Sequence, residues 1–169
     1  MLVVGINTDE KLKNQTEMEL ELKHFAPYLP YGLKVNRNGT DWNYEIESCN
    51  KEGVITDTSF QHYWEYEDIK PLLRPLSDLY KEIDGKVPIV EIYKKMFIYP
   101  QIKEYRIEDG CLKFVKHTFE WADEFRAFSL DGDTAYITIE VSDYLDSLHF
   151  DWRYGLIDKG LALDKTKIK

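Results

Sequence analysis

The chain has 169 residues with 22 basic and 31 acidic side chains, a net charge of −9 and a pI near 5.0. That size suits one domain with a real core, and the acid excess argues against nonspecific binding to duplex DNA, RNA or an anionic membrane, where Lys and Arg must displace counterions. With 14% aromatics and only 6 Pro and 9 Gly, wholesale disorder is excluded too.

Two cysteines, Cys49 and Cys111, stand far apart in no zinc-binding spacing. They read as buried or idle thiols in a reducing compartment, with a single Cys49–Cys111 disulfide as the less favoured alternative. The apolar start Met1–Ile6 is too short for a secretion signal, and no apolar run is long enough to span a bilayer. The expected location is cytoplasmic, with neither metal nor cofactor. No linker, repeat or low-complexity tract divides residues 1–169, so one domain is expected. Charge is uneven: residues 41–70 carry a net −6 and residues 119–146 a net −7. These segments read as solvated strand faces or as one acidic surface suited to a basic partner.

Thr16-Glu17-Met18-Glu19 has the form of a capping box. Met18, Leu22, Phe25 and Leu29 would line the following helix, which Pro27 and Pro30 end near Ala26. Alternation in Glu19–Leu22 keeps a strand open there. Asn38-Gly39 between alternating runs predicts a two-residue hairpin turn pairing Val35 with Trp42, so that Trp42 is buried beside Val35. A third strand is expected near Val54–Phe60 and a fourth near Tyr63–Ile69.

Pro75 suits a first helical position, and Leu76, Leu79, Tyr80 and Ile83 follow at helical spacing up to Gly85. Ile89, Tyr93, Met96 and Phe97 predict a second short helix ending before Pro100. Asp109-Gly110 predicts a second hairpin with Ile107 opposite Leu112 and Tyr105 opposite Phe114. Phe125–Leu130 and Thr134–Val141 read as two more strands around Asp131-Gly132-Asp133. Ser142 reads as the N-cap of a last helix carrying Leu145, Leu148, Trp152 and Leu156 and ending at Gly160. The expected class is α+β: two antiparallel hairpin systems, a helical middle and a C-terminal helix.

Three blocks occur in order: the run from Tyr28 to Val35 (YLPYGLKV), the run from Ile69 to Leu79 (IKPLLRPLSDL), and His149-Phe150-Asp151 followed by the run from Gly155 to Ala162 (GLIDKGLA). Together they span about a fifth of the chain. Their order and spacing resemble a family of small uncharacterised proteins encoded by phages and prophages of gut anaerobic bacteria. The resemblance implies a genomic context and brings no catalytic or binding residues with it.

No P-loop, GxSxG, HExxH, EF-hand loop or dinucleotide GxGxxG occurs. Asp131-Gly132-Asp133 lacks the further acids of a cation loop and reads as an acidic turn. His149 and Asp151 look most catalytic, yet residues two apart on a helix point away from each other. Arg74, fixed beside Pro75, is a planar donor able to clamp a carboxylate or phosphate, or to pair internally with Asp78 or Asp151. Trp152 would supply apolar area where the Arg74 block meets the last helix. Arg74, Asp78, His149, Asp151 and Trp152 are therefore the candidate binding residues. Trp42, Tyr44, Tyr63, Trp64 and Tyr66 are aromatic enough to stack bases or to fill a small sheet, and the local negative charge favours the sheet.

The functional expectation is an accessory protein that binds a host or phage protein through an acidic or aromatic surface and carries no catalysis. A nucleic-acid-associated module and a hydrolase whose site converges only in the fold are the alternatives.

Overall fold

The computed structural model describes residues 18–56, 62–96, 102–108, 111–118, 121–128 and 137–168. The class is α+β, as the sequence implies, with a six-stranded and a three-stranded sheet. Thr16, Asp109-Gly110 and Asp131-Gly132-Asp133 lie outside the described residues.

The first helix, α1 (Leu22–Phe25), is one turn long. Residues 18–20 are not helical, so the expected start near Thr16 is not the one used. Glu21 caps it instead, its backbone N–H donating to His24 Nδ1 at 2.9 Å. Pro27 and Pro30 do not stop the chain from coiling: it tightens into a 3-10 segment, Ala26–Tyr31, and leaves it through Gly32 at φ +68°. A Cβ at Gly32 would stand 3.2 Å from the Glu45 carboxylate, so this left-handed exit suits glycine on two counts.

Strands β1 (Lys34–Arg37) and β2 (Asn43–Cys49) form the predicted hairpin in a different register. Val35 lies opposite Tyr44, not Trp42. The loop runs over residues 38–42 because Asn38 is held elsewhere: its backbone N–H donates to Asp68 O at 2.9 Å and its side chain to Glu67 O at 2.6 Å. Gly39 has positive φ and Asn38 does not, which rules out the two-residue turn. A shift of two residues keeps every side chain on its predicted face. It also carries Trp42 beyond the core, where it is 68% exposed, so the expected burial of Trp42 is wrong.

Next come β3 (Gly53–Thr56), β4 (His62–Glu65), a 3-10 turn over Tyr66–Asp68 and β5 (Ile69–Leu73). Their order in the sheet is β4-β3-β2-β1-β5, completed by the two-residue β9 (Leu163–Asp164). β9 pairs parallel to β5, so the larger sheet is mixed rather than purely antiparallel. Pro71 hid β5 from the sequence reading. It is tolerated because Pro71 faces Val35 in a pair that exchanges no backbone bonds; Asn38–Asp68 sets that alternation.

The stretch after Pro75 is a 3-10 turn, Leu76–Tyr80, and not a helix up to Gly85. The chain then folds back through Ile83 and Lys86, which bond mutually. Helix α2 (Pro88–Met96) is where predicted and buries Ile89, Ile92 and Tyr93 along one stripe. Strands β6 (Ile102–Glu108), β7 (Cys111–Thr118) and β8 (Trp121–Phe128) form the second sheet. Its first register is the predicted one, Ile107 opposite Leu112 and Tyr105 opposite Phe114.

The last helix, α3 (Ile139–Ser147), begins inside the segment expected to be a strand and ends well before Gly160. Thr138 caps it, not Ser142, by accepting from the Val141 N–H. It stops because His149 takes φ +60° and closes a Schellman motif: His149 N–H bonds Asp146 O at 2.9 Å, and Phe150 N–H bonds Leu145 O at 3.0 Å. Trp152 and Leu156 therefore follow the helix rather than lying on it.

Two apolar clusters result. One gathers Leu79, Ile89, Ile92, Leu112, Val141, Leu145 and Phe150 between the helices and the smaller sheet. The other gathers Phe25, Tyr28, Leu33, Val35, Ile46, Val54, Leu73 and Leu156 on one face of the larger sheet. The His149–Asp151 segment runs between them, and Tyr28 ties them by donating its hydroxyl to Phe150 O at 2.9 Å. Among the described residues no helix is long and apolar enough to cross a membrane.

Candidate functional site

Arg74 and His149 meet where β5 leaves the sheet. Arg74 N–H donates to His149 O at 2.7 Å, and Asp151 N–H donates to Arg74 O at 2.9 Å, extending the sheet by one parallel bridge. Two of the three sequence blocks thus touch through backbone that neither could satisfy alone.

The side chains part from there. Arg74 Nη1 stands 3.7 Å from Asp78 Oδ2, an ion pair too long for a hydrogen bond. Buried Asp78 is held more closely by Lys81 Nζ. Arg74 Nε is buried and finds no acceptor in the protein. Asp151, also buried, accepts from the Ile157 N–H through Oδ2 at 2.6 Å, and its Oδ1 has no partner. Trp152 donates to Asp146 Oδ1 at 2.8 Å, while Arg153 grips both oxygens of Asp146 and lies over the Trp152 ring at 4.2 Å. Trp152 does supply apolar area, packing against the helical cluster.

His149 has both ring nitrogens engaged. Nε2 lies 3.0 Å from Tyr31 O, and Nδ1 lies 3.1 Å from Lys165 Nζ. Burial first, then the Lys165 charge, depress its pKa to about 4, so at neutral pH the ring is uncharged. The Nε2–H then donates to Tyr31 and Nδ1 accepts from the ammonium. Neither nitrogen meets Asp151, so the two form no acid–base dyad. Burial and the neighbouring Arg74 charge lower Lys165 to about 8. Lys165 also donates to Leu148 O at 3.0 Å.

Beside this knot opens a cleft of about 540 Å³ on the side of the sheet away from the second cluster, lined by Lys34, Asn43, Leu72, Arg74, His149 and Lys165 among others. Sequence reasoning found Arg74 and His149 but missed Lys165 and Lys34. Lys165 sits in a lysine-rich tail that nothing local distinguishes, and only the parallel pairing of β9 brings it under Arg74.

A second feature lies at the other side of the same sheet. Trp42 stacks on Tyr44 at 6.5 Å, and Tyr44 contacts Trp64 at 5.9 Å and His62 at 6.4 Å. Arg37 lies over the Trp64 ring at 4.6 Å. The row begins inside the core at Val35 and ends in solvent at Trp42. The exposed acid Asp41 stands in the loop next to Trp42, while Glu45 and Glu65, on the same strands, alternate to the opposite face.

Among the described residues no group of three or more His, Cys, Asp or Glu could hold a metal ion. No protein-family model, curated protein or solved structure matches the chain.

Proposed function

We propose that this is a phage- or prophage-derived accessory protein that acts by binding another protein, without catalysis, through the aromatic row ending at Trp42. The observation that carries the reading is a tryptophan 68% exposed at the end of a stacked row. A large indole in water costs apolar hydration for no packing return, and such residues concentrate binding energy at interfaces. The net −6 of residues 41–70 selects a partner segment rich in Arg or Lys. Ring faces attract guanidinium groups, and Arg37 over Trp64 is an internal instance; the Asp41 carboxylate next to Trp42 adds to that attraction. The three sequence blocks support the phage or prophage origin.

The test is affinity capture from the encoding bacterium with wild type and Trp42→Ala as paired baits. A basic protein retained by the first and lost by the second is the expected result. Equal retention by both baits contradicts the reading.

A further inference from the structure

We propose that the cleft beside Arg74 is a binding site for a phosphate monoester, independent of the aromatic row. The protein is acidic overall, yet this cleft gathers Lys34, Arg74 and Lys165. The acids nearby do not neutralise Arg74 and Lys165. Asp78 is held mainly by Lys81. Glu45, opposite Lys34 in the strand pair and with its carboxylate against Gly32 of the cleft wall, offsets Lys34 instead. Asp84 acts on Lys165 only at longer range, and among the described residues no carboxylate comes within ion-pair distance of Lys165.

Two cations side by side in a half-buried cleft repel each other, and the structure keeps both. Arg74 retains a buried Nε–H without an acceptor. Lys165 gives two of its three protons to Leu148 O and His149 Nδ1, leaving one. Asn43 accepts from Asn36 through Oδ1, leaving its amide N–H groups as donors. His149, uncharged and fixed by Tyr31, steers Lys165 without adding charge. The lining is therefore rich in donors around two fixed positive charges. That combination fits a dianion better than a monoanion, and the planar guanidinium suits a phosphate oxygen pair. Leu72 and Ile168 add apolar wall, which free phosphate would not use. The ligand class is a phosphate monoester with an apolar body.

The experiment is calorimetric titration of the full chain at pH 7 with phenyl phosphate, inorganic phosphate and benzoate. Wild type is compared with Lys165→Gln and Arg74→Lys, each checked for its melting transition. Phenyl phosphate is expected to bind wild type with a Kd of about 0.1–1 mM, inorganic phosphate and benzoate more weakly. Lys165→Gln, which removes the charge and keeps a polar side chain, should weaken the ester at least about tenfold while retaining a cooperative melting transition. Absence of heat up to about 10 mM ester, or equal binding by wild type and Lys165→Gln, overturns the site. Benzoate matching the ester overturns the dianion assignment, and inorganic phosphate matching it overturns the apolar wall.

Discussion

Arg74 donates its backbone N–H to the carbonyl of His149 at 2.7 Å, and this bond joins the last residue of the central strand system to the residue that ends the last helix. Because His149 holds a left-handed backbone, its carbonyl is aimed at Arg74 only while the Schellman motif is intact. The Tyr28 hydroxyl on Phe150 then fastens the first block to the third. The three blocks thus form one structural joint.

Arg74→Ala leaves those backbone bonds in place and removes a long ion pair from a side chain 19% exposed. Lys81 still serves Asp78. The expected loss is about 1–2 kcal/mol, well short of breaking a fully shielded pair, and a fall in Tm of about 3–6 °C in a thermal melt.

Acid should destabilise the protein through His149. Its folded pKa, about 4, lies below the ordinary 6.5, so as pH falls the unfolded chain takes the proton first. The contribution is complete above pH 6.5 and is lost progressively down to pH 4. After allowance for solvent screening it amounts to about 1–2 kcal/mol. His24, also lowered chiefly by burial, acts in the same direction. His149→Asn, which tolerates the left-handed backbone, should flatten the fall in denaturant-derived stability across that window relative to wild type.

Lys165 has the same sign of pH dependence in a higher window. Its folded pKa, about 8, lies below the ordinary 10.5, so the unfolded chain holds the extra proton between those values and stability rises with pH there. Melting curves from pH 8 to 10.5 should show that rise in wild type and lose its Lys165 share in Lys165→Gln.

Gly53 sits where β3 and β4 press together: an added Cβ would lie 2.1 Å from the Trp64 carbonyl oxygen. Backbone cannot yield as a flexible side chain can. Gly53→Ala should cost about 2–4 kcal/mol, measured by urea unfolding, and should disturb the Trp64 fluorescence.

Much of this fold was legible in the sequence, and the errors share a cause. The pairings Ile107–Leu112 and Tyr105–Phe114 follow directly from alternation on both sides of Asp109-Gly110, and helical spacing points to α2 through Ile89 and Tyr93, to which the structure adds Ile92. The first hairpin went wrong because Asn38 is claimed by Glu67 and Asp68, residues far along the chain. The helix over Trp152 went wrong because His149 is a C′ residue in a place where glycine or asparagine is the usual signal. At the site, Arg74 and its pairing with Asp78 were readable from local spacing. Lys165 and the cleft depend on β9 lying parallel to β5, a contact with no local pattern. The exposure of Trp42 depends on the same displaced register.

Trp42→Ala should leave thermal stability within about 0.5 kcal/mol of wild type, as expected for an exposed side chain. The most direct test of its role in binding is hydrogen exchange on the wild-type chain, alone and with the captured basic partner. Protection confined to residues 42–47 and 62–65, and absent with Trp42→Ala, is the predicted result. Protection elsewhere on the chain with these strands unchanged would contradict it.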